Sequence, residues 1–281
     1  MKLVEPLVFS TTDELKLNLP TIIEELKSSS IVGIRGLKLS KLDQLQLTKD
    51  LGDLIGWTPN NKTAFNHQYI ENHSSNPKLE NSSPDEIMLN WHLEHVDYDN
   101  YSPLIAGVWN MYKYSCSPDV GMTYFMDSRE VYSSIYTDQE KSFLSNCISF
   151  WTKPYQDGKI YENTAKVVSP HWVDGRDLIR IDMHHIDTLR LHTYKDELPS
   201  EEQSKIFNEL ISRFVFEVFN NTDLRIIHKW NEGDILIPDL YALAHAVTGG
   251  FTPEEREFSG YWCYLNLPEN LQSGNSHPSW S

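Results

Sequence analysis

Two short segments, far apart in the chain, carry side chains suited to metal chemistry. The first reads Asn90-Trp91-His92-Leu93-Glu94-His95, and the second runs from Gly233-Asp234 through Pro238-Asp239 to His245 and Arg256. His92, Glu94 and His245 together offer two imidazoles and a carboxylate. Such a set covers one face of an octahedral divalent ion and leaves three positions open, which suits non-heme iron(II). A closed structural zinc site would leave none. Residues i and i+2 of a strand share a face, so His92 and Glu94 project together while Leu93 and His95 point away. The third ligand must come from elsewhere. His245 follows a short strand and a Pro-Asp turn, which would place it at the rim of a barrel. Arg256, eleven residues past His245, stands where a cation could hold an anionic co-substrate.

Each of these residues also has a plainer reading. An H-x-E tripeptide occurs on many strands that bind no metal. Arg256 lies in a run with Glu254, Glu255 and Glu257, where a lone Arg often makes only weak solvated pairs. His184-His185 cannot serve one ion together, because strand neighbours face opposite sides. His171 and His228 have no carboxylate at useful spacing. Asp234 and Asp239 suit turns better than catalysis.

The elements that must position these groups are predominantly strands. A helix is expected over 20–29, with Pro20 in its first turn and Ile22, Ile23 and Leu26 on one face. A buried strand is expected over 31–35, and a second helix from Ser40 to Ile55, stopped by Gly56. Residues 57–86, rich in Asn, Ser, Pro and Lys, read as a long loop carrying Trp57, His67 and Tyr69, a candidate lid. Strands are expected over 88–95, 105–114, 121–126, 166–169, 178–182, 225–230, 234–238 and 257–265. Thr137-Asp138-Gln139-Glu140 and Ser200-Glu201-Glu202-Gln203 are capping boxes, the second opening a helix to about Asn220. This pattern predicts a mostly β domain, a sandwich or barrel with helices packed outside, and no linker dividing 1–281.

Composition narrows the function classes. The net charge of -16 argues against nucleic acid and anionic membrane as partners, since both need basic patches. No run approaches the ~18 apolar residues of a membrane span. Cys116, Cys147 and Cys263, odd in number and widely spaced, fit neither a disulfide framework nor a zinc ribbon. The expectation is a soluble cytoplasmic protein.

Trp91-His92-Leu93-Glu94, the Gly121-Met122-Thr123-Tyr124-Phe125 strand, the Gly233-Asp234 to Asp239 to His245 run, and Arg256 occur in an order and spacing that resemble the taurine dioxygenase (TauD/TfdA-like) family of iron(II)- and 2-oxoglutarate-dependent oxygenases. The resemblance spans roughly 85–265. It implies a double-stranded β-helix, a jelly-roll or cupin-like barrel. It implies His92, Glu94 and His245 as iron ligands, with Arg256 and Thr123 binding the distal carboxylate of 2-oxoglutarate. Cofactor and co-substrates would be Fe(II), 2-oxoglutarate and O2, with succinate and carbon dioxide released.

Two departures from the family pattern bear on the substrate. Most members carry Asp where this chain has Glu94; clavaminate synthase-like enzymes and several free-amino-acid hydroxylases carry Glu. Sulfonate-cleaving members place a further Arg four residues after the position of Arg256, where this chain has Gly260. A small amino-acid-like or other anionic metabolite is therefore expected, rather than taurine. Asn90 and Arg180 are candidate substrate residues, the former otherwise a plain strand-edge amide and the latter otherwise half of a salt bridge. The expected reaction is hydroxylation of an unactivated carbon. Desaturation or carbon–heteroatom cleavage on the same scaffold, and a non-catalytic barrel that only binds a small ligand, are the alternatives. The oligomeric state is left open, a homo-oligomer included.

Overall fold

The computed structural model describes residues 2–55, 57–59, 87–94, 96, 104–154 and 159–265. Strands β1 (Lys2–Leu3) and β2 (Leu7–Val8) lead into helices α1 (Thr12–Leu17) and α2 (Leu19–Ser29). Then follow β3 (Ile31–Arg35), α3 (Lys41–Ile55), β4 (Trp57–Pro59), β5 (Ile87–His92), β6 (Leu104–Tyr114) and β7 (Thr123–Asp127). Helices α4 (Ser128–Ile135) and α5 (Asp138–Leu144) precede β8 (Cys147–Pro154), β9 (Ile160–Lys166), β10 (Val168–Pro170) and β11 (Asp177–Ile179). A 3-10 turn at Met183–His185 and strand β12 (Arg190–Tyr194) lead to α6 (Glu201–Asn220). β13 (Ile226–His228), β14 (Ile235–Pro238), β15 (Leu243–Thr248) and β16 (Arg256–Leu265) come last.

Two sheets organise the molecule. One has the order β1-β13-β7-β15-β5 and the other β2-β3-β14-β6-β16-β4. Their facing surfaces enclose an aromatic core in which Trp109, Met111 and Phe258 of the larger sheet meet Phe125 and Leu243 of the smaller. Helices α2 and α3 cover the outer face of the larger sheet, burying Ile22, Leu26, Leu47 and Leu51 against Ile105, Val108 and Ile235. Helices α4 and α6 pack with a three-stranded sheet, β12-β8-β9, in a further cluster around Trp151, Phe207 and Phe214. The chain is thus mostly β with helices outside. Among the described residues the sheets remain open, and no closed barrel forms.

Local signals explain most of the elements. The apolar face of α2 is buried, and its end falls at Ser30, whose left-handed φ of 64° lets its amide bond back to Leu26. Both capping boxes form with reciprocal bonds, at Thr137/Glu140 and Ser200/Gln203. The expected strand 88–95 stops at His92; Leu93 and Glu94 leave the ladder. Strands β8, β9, β12 and β15 and helices α1 and α4 were not expected. Strand β9 reads Ile-Tyr-Glu-Asn-Thr-Ala-Lys and is too polar to signal a strand. Strand β15 is buried along almost its whole length, so the alternation that marks a half-buried strand is missing. The loop expected over 57–86 begins with β4; His67, Tyr69 and His95 lie outside the described residues. Among the described residues no helix is long and apolar enough to cross a membrane.

Candidate metal centre

Strands β5 and β15 are antiparallel neighbours, and His92 stands directly opposite His245 in their register. The two rings lie 4.0 Å apart, centroid to centroid. His245 therefore sits inside a central strand, rather than at a rim after a turn. Glu94 lies beyond the end of β5, yet its Oε1 is 3.4 Å from His92 Nε2 and 3.6 Å from His245 Nε2. One ligand atom from each residue falls within 4.8 Å of the others, so the three could hold one metal ion. Ligand bonds of about 2.1 Å at right angles would put neighbouring donors about 3 Å apart. The two histidine–Glu94 separations exceed that by only about half an ångström.

The ring of His92 is oriented for this role. Its Nδ1 lies 2.8 Å from the carbonyl oxygen of Asn90. A carbonyl only accepts, so Nδ1 carries the proton and Nε2 keeps its lone pair toward Glu94. Leu93 and Trp91 point the other way, into the apolar cluster beneath. His184 does not belong to the metal group. It nevertheless stacks on His92, with centroids 4.5 Å apart and planes 27° apart, and keeps an exposed edge. Nothing in the sequence pointed to this contact.

An aromatic wall runs from His245 of this group to Arg256. Trp109 packs 5.1 Å from His245, Phe258 lies 5.8 Å from Trp109, and Arg256 lies 5.3 Å above Phe258 and 4.8 Å above Phe251. Arg256 is 3% exposed, and among the described residues no carboxylate pairs with it. Among the described residues its buried Nε has no acceptor. Burial lowers its pKa to about 10, and the neighbouring Tyr114 and Cys116 offset little of that. A guanidinium so buried and uncompensated needs an anion, and its planar fork suits a carboxylate.

Thr123 joins the same wall. Its Oγ1 accepts a 2.9 Å bond from Trp230 Nε1, and Trp230 packs edge-on against Phe258, 5.6 Å away. A hydroxyl that accepts this bond can still donate its own proton. The contributions of Trp109, Trp230 and Phe258 carry no motif, because each depends on a partner distant in sequence.

The other candidates do not belong to the three-residue metal group. Arg180 is 0% exposed, and its guanidinium donates to the backbone carbonyls of Glu94, Leu240 and Tyr241. These bonds tie it to the backbone around Glu94 and the start of β15. Asn90 keeps an exposed side chain whose Oδ1 accepts from the Trp91 amide. Asp234 pairs with Arg35 through both oxygens, and Asp239 Oδ1 caps the amides of Tyr241 and Ala242, so both shape turns. His171 is held between Asp239 and Asp174 and does not belong to the metal group. At Gly260 a Cβ would meet Trp109 Cδ1 at 2.9 Å; the indole fills the space a larger side chain would need.

Two facing sheets carrying a two-histidine, one-carboxylate group, with a buried arginine that no carboxylate pairs among the described residues, fit one class: an oxygenase that combines a divalent metal with a small anionic co-substrate. Residues 4–262 match the profile of the taurine catabolism dioxygenase TauD, TfdA family, and the chain belongs to that family. It is an oxidoreductase, a dioxygenase that uses iron(II), 2-oxoglutarate and O2. Among solved structures, a taurine dioxygenase from Burkholderia xenovorans aligns with 13% identity, a TM-score of 0.58, 89% of this chain and 81% of that one. AAD-2 in complex with Mn(II) and N-oxalylglycine aligns with 13% identity, a TM-score of 0.57, 87% of this chain and 86% of that one. No curated protein matches the sequence.

Proposed function

We propose that His92, Glu94 and His245 are the iron(II) ligands and that Arg256 and Thr123 bind the distal carboxylate of 2-oxoglutarate. The observation that carries this reading is the meeting of three ligand atoms within 4.8 Å on a wall that ends in a buried arginine with no carboxylate partner among the described residues. The metal and co-substrate supply oxygen activation coupled to oxidative decarboxylation. The chain's own residues orient and exclude. Asn90 fixes the His92 tautomer, Arg256 and Thr123 hold the co-substrate by its far end, and Trp109 and Phe258 keep water from the space between. The Mn(II) and N-oxalylglycine of AAD-2 support a pocket that takes a divalent ion and a small dicarboxylate.

The reaction proposed is hydroxylation of an unactivated carbon in a small amino-acid-like or otherwise anionic metabolite, with release of succinate and carbon dioxide. Gly260 under the Trp109 indole offers no cation for a sulfonate, which disfavours taurine. Asn90 stays the candidate substrate contact. Desaturation or carbon–heteroatom cleavage would use the same site, and product analysis separates them. The two sheets are read as the halves of a double-stranded β-helix, in one oxygenase domain over 1–281. Three free cysteines and an acidic surface support a reducing, cytoplasmic setting without nucleic-acid or membrane partners.

The test is an anaerobic titration of the apo-protein with iron(II) and 2-oxoglutarate, followed by the visible metal-to-ligand charge-transfer band. The band is expected in wild type, absent in His245→Ala and weakened at least tenfold in apparent 2-oxoglutarate affinity in Arg256→Ala. Wild-type protein that binds iron but shows no band would overturn the reading in favour of a binding protein. Amino acids are then screened for stimulated succinate release.

A further inference from the structure

We propose that Arg180 is a positioning residue that sets the distance between Glu94 and the strand bearing His245. The inference rests on the reading of His92, Glu94 and His245 as metal ligands.

The three ligands are not held alike. His92 and His245 are opposite partners in the β5–β15 ladder, which fixes their separation. Glu94 lies two residues past His92, in a turn, where β5 has ended. Strand pairing does not place its backbone. Its carboxylate must still reach 3.4 Å and 3.6 Å from the two imidazole nitrogens.

Arg180 spans this gap. Its own amide is tied to Val167 by a 2.9 Å bond just past β11, which anchors the base of the side chain. Nη2 donates to the carbonyl of Glu94 at 2.8 Å. Nη1 donates to the carbonyl of Tyr241 at 2.6 Å and to that of Leu240 at 3.3 Å. The guanidinium also lies 4.5 Å over the Tyr241 ring. Residues 240–242 form the turn that launches β15, and Asp239 pins that turn through the amides of Tyr241, Ala242 and Leu243. One rigid planar group therefore joins the backbone of the carboxylate ligand to the root of the strand that carries a histidine ligand. A lysine has a single nitrogen on a flexible stem and cannot hold both ends at a fixed angle. Partners behind metal ligands typically change metal affinity by about 10- to 100-fold when lost.

The experiment uses cobalt(II) as the probe, read by its visible d–d absorption, on wild type, Arg180→Lys and Gln44→Ala. Gln44 is buried on the far side of the larger sheet, bonded to the carbonyls of Val108 and Ser259, and its loss controls for stability alone. Arg180→Lys is expected to weaken cobalt binding at least tenfold and to alter the position or intensity of the d–d bands, while circular dichroism shows it folded. Gln44→Ala is expected to melt earlier with unchanged cobalt affinity and spectrum. Wild-type affinity and spectrum in Arg180→Lys, even with a lower melting temperature, would overturn the proposal and leave Arg180 a stability residue. Failure of wild type to bind cobalt would overturn the metal centre itself, and the clamp with it. Should Arg180→Lys not fold, Tyr241→Leu removes the ring beneath the guanidinium. A threefold or greater loss of affinity in that variant supports the clamp, and wild-type affinity overturns it.

Discussion

Arg256 shows how a side chain can be kept against the interest of stability. Burial lowers its pKa from 12.5 to about 10, so at neutral pH the fold carries the charged form at a cost on the order of a few kcal/mol. Relief would come only above pH 10, or from an anion. Arg256→Met is therefore expected to hold or raise the melting temperature of the apo-protein, and to lose the stabilisation that 2-oxoglutarate gives the metal-loaded chain. A drop of several degrees in the apo variant would show that the guanidinium is satisfied by other means. The sequence carried the types and order of His92, Glu94, His245, Thr123 and Arg256. It could not carry the fate of Arg180, because that side chain ends on backbone carbonyls, which have no residue-type signature. His184 stayed hidden for a related reason, since ring stacking between distant segments leaves no spacing to read.

Elements act on the site through packing. Trp109 lies over two glycines: a Cβ at Gly107 would meet its Nε1 at 2.6 Å and the Leu240 side chain at 2.9 Å. The same indole packs 5.1 Å from His245, so a shift of it would be felt at that imidazole. Gly107→Ala is expected to destabilise the fold by about 1–3 kcal/mol and to weaken metal binding, checked by chemical denaturation and by cobalt titration on one preparation. Unchanged stability would mean that β6 shifts freely within its sheet.

Strand β13 sets a pH limit. Burial holds His228 at about 4, below the usual 6.5; Asp234, 3.7 Å away, opposes this but is already paired with Arg35 through both oxygens. The folded chain keeps this ring neutral while the unfolded chain protonates it. Its contribution is thus intact above pH 6.5 and is lost as pH falls toward 4, by about 3 kcal/mol at most. His228→Gln should flatten the fall in melting temperature between pH 7 and pH 4.5. Parallel curves would assign the acid lability elsewhere. Helices with capping boxes were legible because caps are local chemistry. Strand β15 was not, because burial on both faces erases the period-two pattern.

For the whole molecule, ligand binding and folding are one equilibrium. Manganese(II) at 100 times its dissociation constant should stabilise the fold by about 2.7 kcal/mol, with a further rise on adding 2-oxoglutarate, both reversed by a chelator. A melting temperature indifferent to the chelator would mean that no ion binds the native state. The strand content and the outer helices were legible from hydrophobic pattern. The pairing of β1 with β13, β5 with β15 and β6 with β16 was not, since register between segments so far apart follows from packing rather than from either segment alone.

The pairing of His92 with His245 also has a consequence in time. These two partners are separated by 153 residues of chain. At synthesis rates of about 5–20 residues per second, roughly 8–30 s pass between the emergence of the first imidazole and that of the second. A growing chain at that stage offers at most His92 and Glu94, a weak and unselective chelate. If these three residues are the ligands, selective iron binding has to wait until β15 has been made and has paired with β5, and the metal content of a cell's pool of this protein would then count the molecules in which that pairing has closed.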